Sequence, residues 1–184
     1  MTTTQKIHHY QDSVKIEKAA NEAANAFLIQ KLSPFYKIER IRNVEEKQLQ
    51  FAGIDKIVTT LNAGILRVEE KIRTITRKDI LIELVSNDTK YLKAPNALGW
   101  GLRDYNTDIL SYFFADSRTG YIYSYKKFKK TLYDNLFEWY KLAEKRQYGF
   151  GIFKAKNERY SSINIAVPIN AFNSAYKQNG GIIL

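Results

Sequence analysis

The sequence predicts an α/β protein: one mixed central β-sheet flanked by helices. Two observations carry this. Two segments of about twenty residues repeat apolar positions at helical spacing. Between and after them lie six to eight short apolar or alternating runs, bounded by Gly, Pro, Asn and Asp. The composition, 45% hydrophobic over 184 residues, suits one globular domain with a real core.

Asp12 or Ser13 can cap a first helix that runs to Leu32, with Ile16, Ala20, Ala23 and Phe27 on one face and Pro34 beyond its end. Residues 1–11 are expected to be flexible. "FYKIERIRN" (Phe35 to Asn43) reads as a strand. "LQFAGIDKIVTTL" (Leu49 to Leu61) reads as another, joined through Asn62 and Gly64 to "ILRVEEKIRTI" (Ile65 to Ile75). "DILIELV" (Asp79 to Val85) is apolar enough for a further strand. A long loop holding Pro95, Gly99, Trp100 and Gly101 follows; loops of that length inside a domain are usually functional. "DILSYFFA" and "YIYSY" are strands. Lys126 to Arg146 is a helix with Phe128, Leu132, Leu136 and Tyr140 on one stripe. "YGFGIFKA" and "YSSINIAVPI" are expected to close the same sheet, and "INAFNSAYKQ" forms a last helix ended by Gly180 and Gly181.

The net charge of +10 points to a polyanionic partner, nucleic acid before an anionic membrane. No cysteine is present, which removes thiolate metal sites, disulfides and a cysteine nucleophile. No stretch approaches a membrane span, and the start lacks a signal-peptide pattern, so a cytoplasmic protein is expected. His8 and His9 without further ligands are no metal site.

An acid two residues before a lysine occurs three times, at Glu45/Lys47, Glu69/Lys71 and Asp88/Lys90. Only Glu69 lies in an apolar strand that follows another strand with a lone acid, Asp55. Side chains two apart on a strand share a face, so Glu69 and Lys71 stand together with Arg67 and Arg73. Pairing through the Asn62–Gly64 turn brings Asp55 beside Glu69. Two adjacent carboxylates repel and favour a divalent cation with oxygen ligands, and a neighbouring lysine can orient water and neutralise phosphate charge. The alternative is a half-buried strand with a wet face, where Glu69–Lys71 is a surface ion pair worth about 0–1 kcal/mol.

The ordered set Gln50, Gly53, Asp55, Glu69, Lys71, Glu83, Gly99, Trp100 and Thr107 resembles the PD-(D/E)XK nuclease superfamily, in particular its small phage- and prophage-type members. The resemblance spans nearly the whole chain. It implies a restriction-endonuclease-like or Holliday-junction-resolvase-like core and metal-dependent hydrolysis of DNA phosphodiester bonds that leaves a 5′-phosphate. It implies Mg²⁺ or Mn²⁺ held by Asp55, Glu69 and the backbone carbonyl of Glu70, with Lys71 as the catalytic lysine and Glu83 as an extra ligand or supporting acid. An acid on the first helix is expected to face the site, with Glu17 and Glu22 both candidates. Gln50 is expected to bond substrate or brace the site. Glu69 stands where the narrower group would carry Asp, a permitted variant. Members of the superfamily often form homodimers.

Lys126, Lys127, Lys129 and Lys130 open a helix with a basic polar side, suited to phosphate contacts. Arg67 and Arg73 extend that role beside the acids, and Trp100 either lies along a nucleic-acid strand or plugs the sheet edge. A catalytically inactive relative on the same fold, binding nucleic acid or inhibiting a host factor, is the rival expectation.

Overall fold

The computed structural model describes residues 10–89, 97–156 and 160–184, with side chains from residue 20 onward. The architecture is mixed α/β, as expected. The strands form two sheets: a five-stranded one and a three-stranded one. Contacts group the chain into two compact units, one sheet in each.

The first unit comprises Ile16–Thr76, Asp104–Lys130 and Tyr176–Leu184. Its sheet has the order β1 (Ile38–Asn43), β2 (Lys56–Thr60), β3 (Gly64–Arg73), β5 (Ile109–Phe114), β6 (Thr119–Ser124). The β2–β3 hairpin is antiparallel, with Thr60 opposite Gly64, and β3 pairs with β5 in parallel. A parallel pair cannot be joined by a tight turn, so the chain must leave the sheet after β3 and return at β5.

Helix α1 (Tyr10–Leu32) covers one face of this sheet. Ala24, Phe27, Leu28 and Leu32 pack with Val58, Val68, Ile109, Phe113 and Ile122. Phe27 and Phe113 sit 5.3 Å apart at their ring centres. Each fully buried side chain of this size stabilises by about 1.5–3 kcal/mol, so this layer anchors the strands that carry the acids. Helix is already present at Tyr10, so Asp12 and Ser13 lie inside α1 and do not cap it. Tyr10 and Gln11 belong to α1; the rest of the segment expected to be flexible, with His8 and His9, lies outside the described residues.

The expected strand from Leu49 to Leu61 is also corrected. Lys47–Phe51 forms a short helix, α2, and β2 begins only at Lys56. The turn between them needs Gly53, whose φ of 75° is left-handed.

The second unit holds Arg77–Arg103 and Thr131–Ala175, with the chain up to Lys15. Its sheet is antiparallel, β4 (Asp79–Val85), β8 (Ser161–Pro168), β7 (Gly151–Lys156), with β8 in the middle. The expectation that β7 and β8 close the sheet of β3 is thus overturned. Apolar strands look alike in sequence, and partner choice is made by long-range pairing. Helix α3 (Tyr125–Glu144) buries Tyr125, Phe128, Leu132, Trp139 and Ala143. Tyr140, expected on that stripe, is exposed, and Trp139 takes its place against Phe150 and Phe172. Helix α4 (Ile169–Gln178) starts after Pro168, where the Ile169 N–H donates to the Lys78 carbonyl at 2.9 Å. Among the described residues, no helix is long and apolar enough to cross a membrane.

Candidate active site

The site begins with the turn before β2. A Cβ on Gly53 would stand 2.1 Å from Cγ of Tyr105, so only glycine admits that ring. The Asn106 N–H donates to the Ala52 carbonyl at 3.1 Å, and the Thr107 hydroxyl donates to the Gly53 carbonyl. The segment after Asp104 is thereby pinned on the turn that presents Asp55.

Asp55 is fixed by backbone bonds. Its N–H donates to the Val68 carbonyl at 2.8 Å. Its Oδ2 accepts the Glu70 N–H at 2.7 Å. In an antiparallel ladder a residue turns its N–H and its carbonyl to the same neighbour. The Glu70 carbonyl therefore faces the same edge as Asp55, as the resemblance requires of a third ligand.

Glu69 lies opposite Leu110 and Lys71 opposite Tyr112, on the sheet face away from α1. The Glu69 side chain is 3% exposed and forms an ion pair with the 28% exposed Lys71. This is no wet-face pair. Burial pushes the Glu69 carboxyl up, the Lys71 charge opposes that, and the adjacent Asp55 adds to it, with the result at about 7. Burial works against the Lys71 charge, but Glu69 and Asp55 outweigh it and hold the ammonium above its usual range. The structure thus brings Asp55, Glu69 and Lys71 together as the spacing predicts.

Glu70 points the other way. Its carboxylate meets Lys56 Nζ at 2.9 Å, both almost fully buried, and Lys56 Nζ also donates to Asn25 Oδ1 of α1 at 2.6 Å. Burial raises the Glu70 carboxyl, with Lys56 opposing. Glu70 Oε1 and the hydroxyl of Ser111, neighbours across the β3–β5 ladder, are buried without a hydrogen-bond partner.

The opening turns of α3 lie over the Glu69 face. Phe128 packs on Tyr123 at 5.7 Å, and Tyr125 stacks on Tyr105 at 6.1 Å. Tyr125 is held in its neutral form by burial and, in part, by the charge of Glu69. Tyr105 in turn favours the charged Lys71. Two tyrosines therefore wall the acidic site.

The remaining expected residues divide. Arg67 is engaged by Asp108, at 2.9 Å and through the Arg67 backbone N–H at 2.8 Å, and it also bonds Asn106. Arg73 Nη1 donates to the Tyr112 hydroxyl at 3.2 Å. Gln50 braces the approach to α2, donating to the Val44 carbonyl at 2.8 Å. Glu22 stands exposed on α1, and the side chain of Glu17 lies outside the described residues. Glu83 sits on β4 of the other unit, where the Ser86 hydroxyl donates to it at 3.2 Å and a Cβ on Gly99 would press its Cγ at 2.7 Å. Trp100 is half-buried in the turn after Gly99. Lys126 and Lys130 are exposed; Lys127, also exposed, bonds the Gly180 carbonyl. Lys129, expected on the solvated basic side, is instead buried.

In the other two acid-x-lysine copies the neighbouring or leading acid is paired elsewhere, and Lys90 lies outside the described residues. Glu46 pairs with Arg42 at 2.8 Å beside exposed Glu45 and Lys47. Asp88 pairs with Lys154 at 2.7 Å and accepts the Ser161 N–H.

Sequence reasoning missed Asn25, Lys56, Tyr105, Asp108 and Tyr125. Lys56 left a signal: a lysine at an inward position of an apolar strand, matched by an extra glutamate in "VEEK", implies a buried pair.

The donor set fits a small hard cation. The Asp55 and Glu69 carboxylates adjoin, and burial disfavours the charged form of Glu69 unless positive charge joins it. Among the described residues, no group of three or more His, Cys, Asp or Glu side chains could hold a metal ion. Neither family models, curated proteins nor solved structures return a match to this chain.

Proposed function

We propose that this chain is a metal-dependent nuclease that hydrolyses DNA phosphodiester bonds and leaves a 5′-phosphate, acting in the cytoplasm in a phage or mobile-element context. One observation carries the reading: Asp55, Glu69 and Lys71 meet on one sheet face of a strongly basic protein, with Glu69 buried. Asp55, Glu69 and the Glu70 carbonyl would hold Mg²⁺ or Mn²⁺, and that cation would supply Lewis-acid neutralisation of a phosphate. The Glu70 N–H holds the Asp55 carboxylate in orientation. Lys71, paired with Glu69 in this structure, would donate hydrogen bonds to the phosphate or to the attacking water. Tyr105 and Tyr125 shield this face from solvent.

The test is cleavage of plasmid, branched and single-stranded DNA with Mg²⁺ or Mn²⁺. Nicking or linearisation that a chelator stops, and that Lys71→Ala abolishes, supports the reading. Wild-type protein that cuts none of these substrates would sink it.

The ion pair between Lys71 and Glu69 favours a second reading, because a lysine already seated on the acid can replace a cation. The chain would then be an inactive nuclease-fold module that binds nucleic acid or a protein partner such as a host factor. That reading expects salt-sensitive binding indifferent to chelator and to Asp55→Ala.

A further inference from the structure

Just past α3, in the second unit, the chain breaks two local rules within three residues. Among the described residues three non-glycine positions have a positive φ, and two of them are Arg146 (φ 51°) and Tyr148 (φ 52°). Arg146 closes the helix. Its N–H donates to the Ala143 carbonyl at 3.1 Å, and the Gln147 N–H donates to the Leu142 carbonyl at 3.0 Å. That is a helix C-cap whose left-handed residue is usually glycine. Next, the Phe150 N–H donates to the Gln147 carbonyl at 2.9 Å across Tyr148 and Gly149 (φ 84°). A turn with both central φ positive favours Asn, Asp or Gly at its first central position, and here that position is Tyr148. Neither side chain offsets its backbone strain by burial: Tyr148 is 83% exposed, and Arg146 is exposed as well.

Glycine stands instead at Gly151, inside β7, where it weakens a strand. A Cβ there would come within 3.0 Å of the Phe153 ring, so the missing side chain lets that ring lie back along the strand towards the turn, 56% exposed. Tyr148 precedes Gly151 by three residues, a reach of at most about 11 Å. From Lys141 to Lys156 the chain carries five Lys or Arg against one acid, Glu144. Lys154 answers Asp88 at 2.7 Å, while Lys145, Arg146 and Lys156 are exposed.

We propose that this corner binds single-stranded nucleic acid, with one base stacked on Tyr148, another on Phe153, and the phosphates met by Lys145 and Arg146. Every base has a π-face, so such stacking tolerates any sequence. An apolar protein partner would use the rings but not the surplus positive charge. A duplex would use the charge but keeps its bases inside the stack. A single strand uses both. The site shares the nucleic-acid partner of the reading above, and it rests on neither cleavage nor the metal.

The experiment is anisotropy of fluorescein-labelled oligo(dT), and of an abasic strand of equal length, in chelator. Wild-type protein should prefer oligo(dT) by about fivefold or more, the least that one stacked base is worth. Tyr148→Gly relieves the backbone and removes the ring, so it should melt higher than the parent yet lose part of that preference. Phe153→Leu keeps an apolar side chain and should lose part of it too. Arg146→Gly should also melt higher, and should lower the salt slope by about 0.7 on either strand, the worth of one phosphate contact. Glycine variants that gain stability and bind both strands like the parent would mark the corner as structural and overturn the proposal. Equal wild-type binding of the two strands would leave charge alone and overturn it as well. Vesicles of phosphatidylserine and phosphatidylcholine supply the remaining outcome: if Tyr148→Gly weakens vesicle binding and leaves oligo(dT) binding unchanged, the rings serve a bilayer and the proposal falls. Absent cleavage beside an intact preference for oligo(dT) removes the nuclease reading and leaves this one standing.

Discussion

The backbone N–H of Glu70 donates to Oδ2 of Asp55 at 2.7 Å, so the Asp55 carboxylate is anchored to the main chain of the strand that carries Glu69. Asp55 therefore orients without help from a flexible partner. The Glu70 side chain is freed for a separate task on the opposite face, where it neutralises Lys56.

Lys71→Met should fold like the parent and lose cleavage by about a hundredfold or more, the usual scale for removing one charge-stabilising donor. Asp55→Asn should keep the bond from Glu70, because its amide oxygen still accepts, while losing the charge. Cleavage should fall similarly and Mn²⁺ binding by calorimetry should weaken. Parental cutting by Lys71→Met would refute the assigned roles.

The Glu69 carboxyl, at about 7, sets a pH dependence. It must be ionised to hold a cation, so Mn²⁺ affinity should rise between about pH 6 and about pH 8, with a limiting slope of about tenfold per unit. Without metal the sign reverses for stability. A folded value above the unfolded one favours the protonated fold, so this contribution is fully present below the unfolded carboxyl range and is lost as pH rises through about 7. Metal-free protein should melt lower at about pH 8 than at about pH 6.5 as far as Glu69 decides it, and Glu69→Gln should lessen that difference. Melting curves with and without Mn²⁺ check both signs.

Gly53→Ala should be among the worst small substitutions in the chain. It puts a Cβ at φ 75° and 2.1 Å from the Tyr105 ring. The backbone strain alone costs about 1 kcal/mol or more, and the clash adds to it. Tyr105→Ala in the same background should recover part of the loss. Thermal denaturation of the two singles and the double would show whether the sites couple.

Lys56→Met leaves a carboxylate buried on the α1 face with its partner gone. A loss of about 3–5 kcal/mol is expected. Lys56→Met with Glu70→Leu should recover most of it, since two apolar side chains can fill that space without a stranded charge. Urea denaturation distinguishes this from an exposed pair, which would show little effect either way.

Much of the site was legible from spacing. Strand alternation places Glu69 and Lys71 on one face, and the hairpin turn at Asn62–Gly64 sets the register that brings Asp55 alongside. The alternation also separates Val68 and Ile72 onto the α1 side. What spacing could not show was depth. Glu69 is buried because Leu110, Tyr112 and Tyr123 come from strands some forty residues on, and α3 closes over them. Lys129 read as one of four surface lysines for the same reason: a helix wheel gives direction, but only a packing partner says which direction is inside.

The sequence by itself determined the helices α1, α3 and α4, nearly every strand, the α/β class and the shared face of the acid and the lysine. These follow from local periodicity and turn chemistry, which act over a few residues. Only the tertiary structure decided that β4, β7 and β8 form their own sheet, that Lys56 answers Glu70 beneath the site, and that Tyr105 and Tyr125 wall it. Those depend on pairings between segments far apart in the chain, where many apolar strands compete and loop-closure entropy is nearly the same for each. The choice among them is made by the burial of whole faces, which no short window contains.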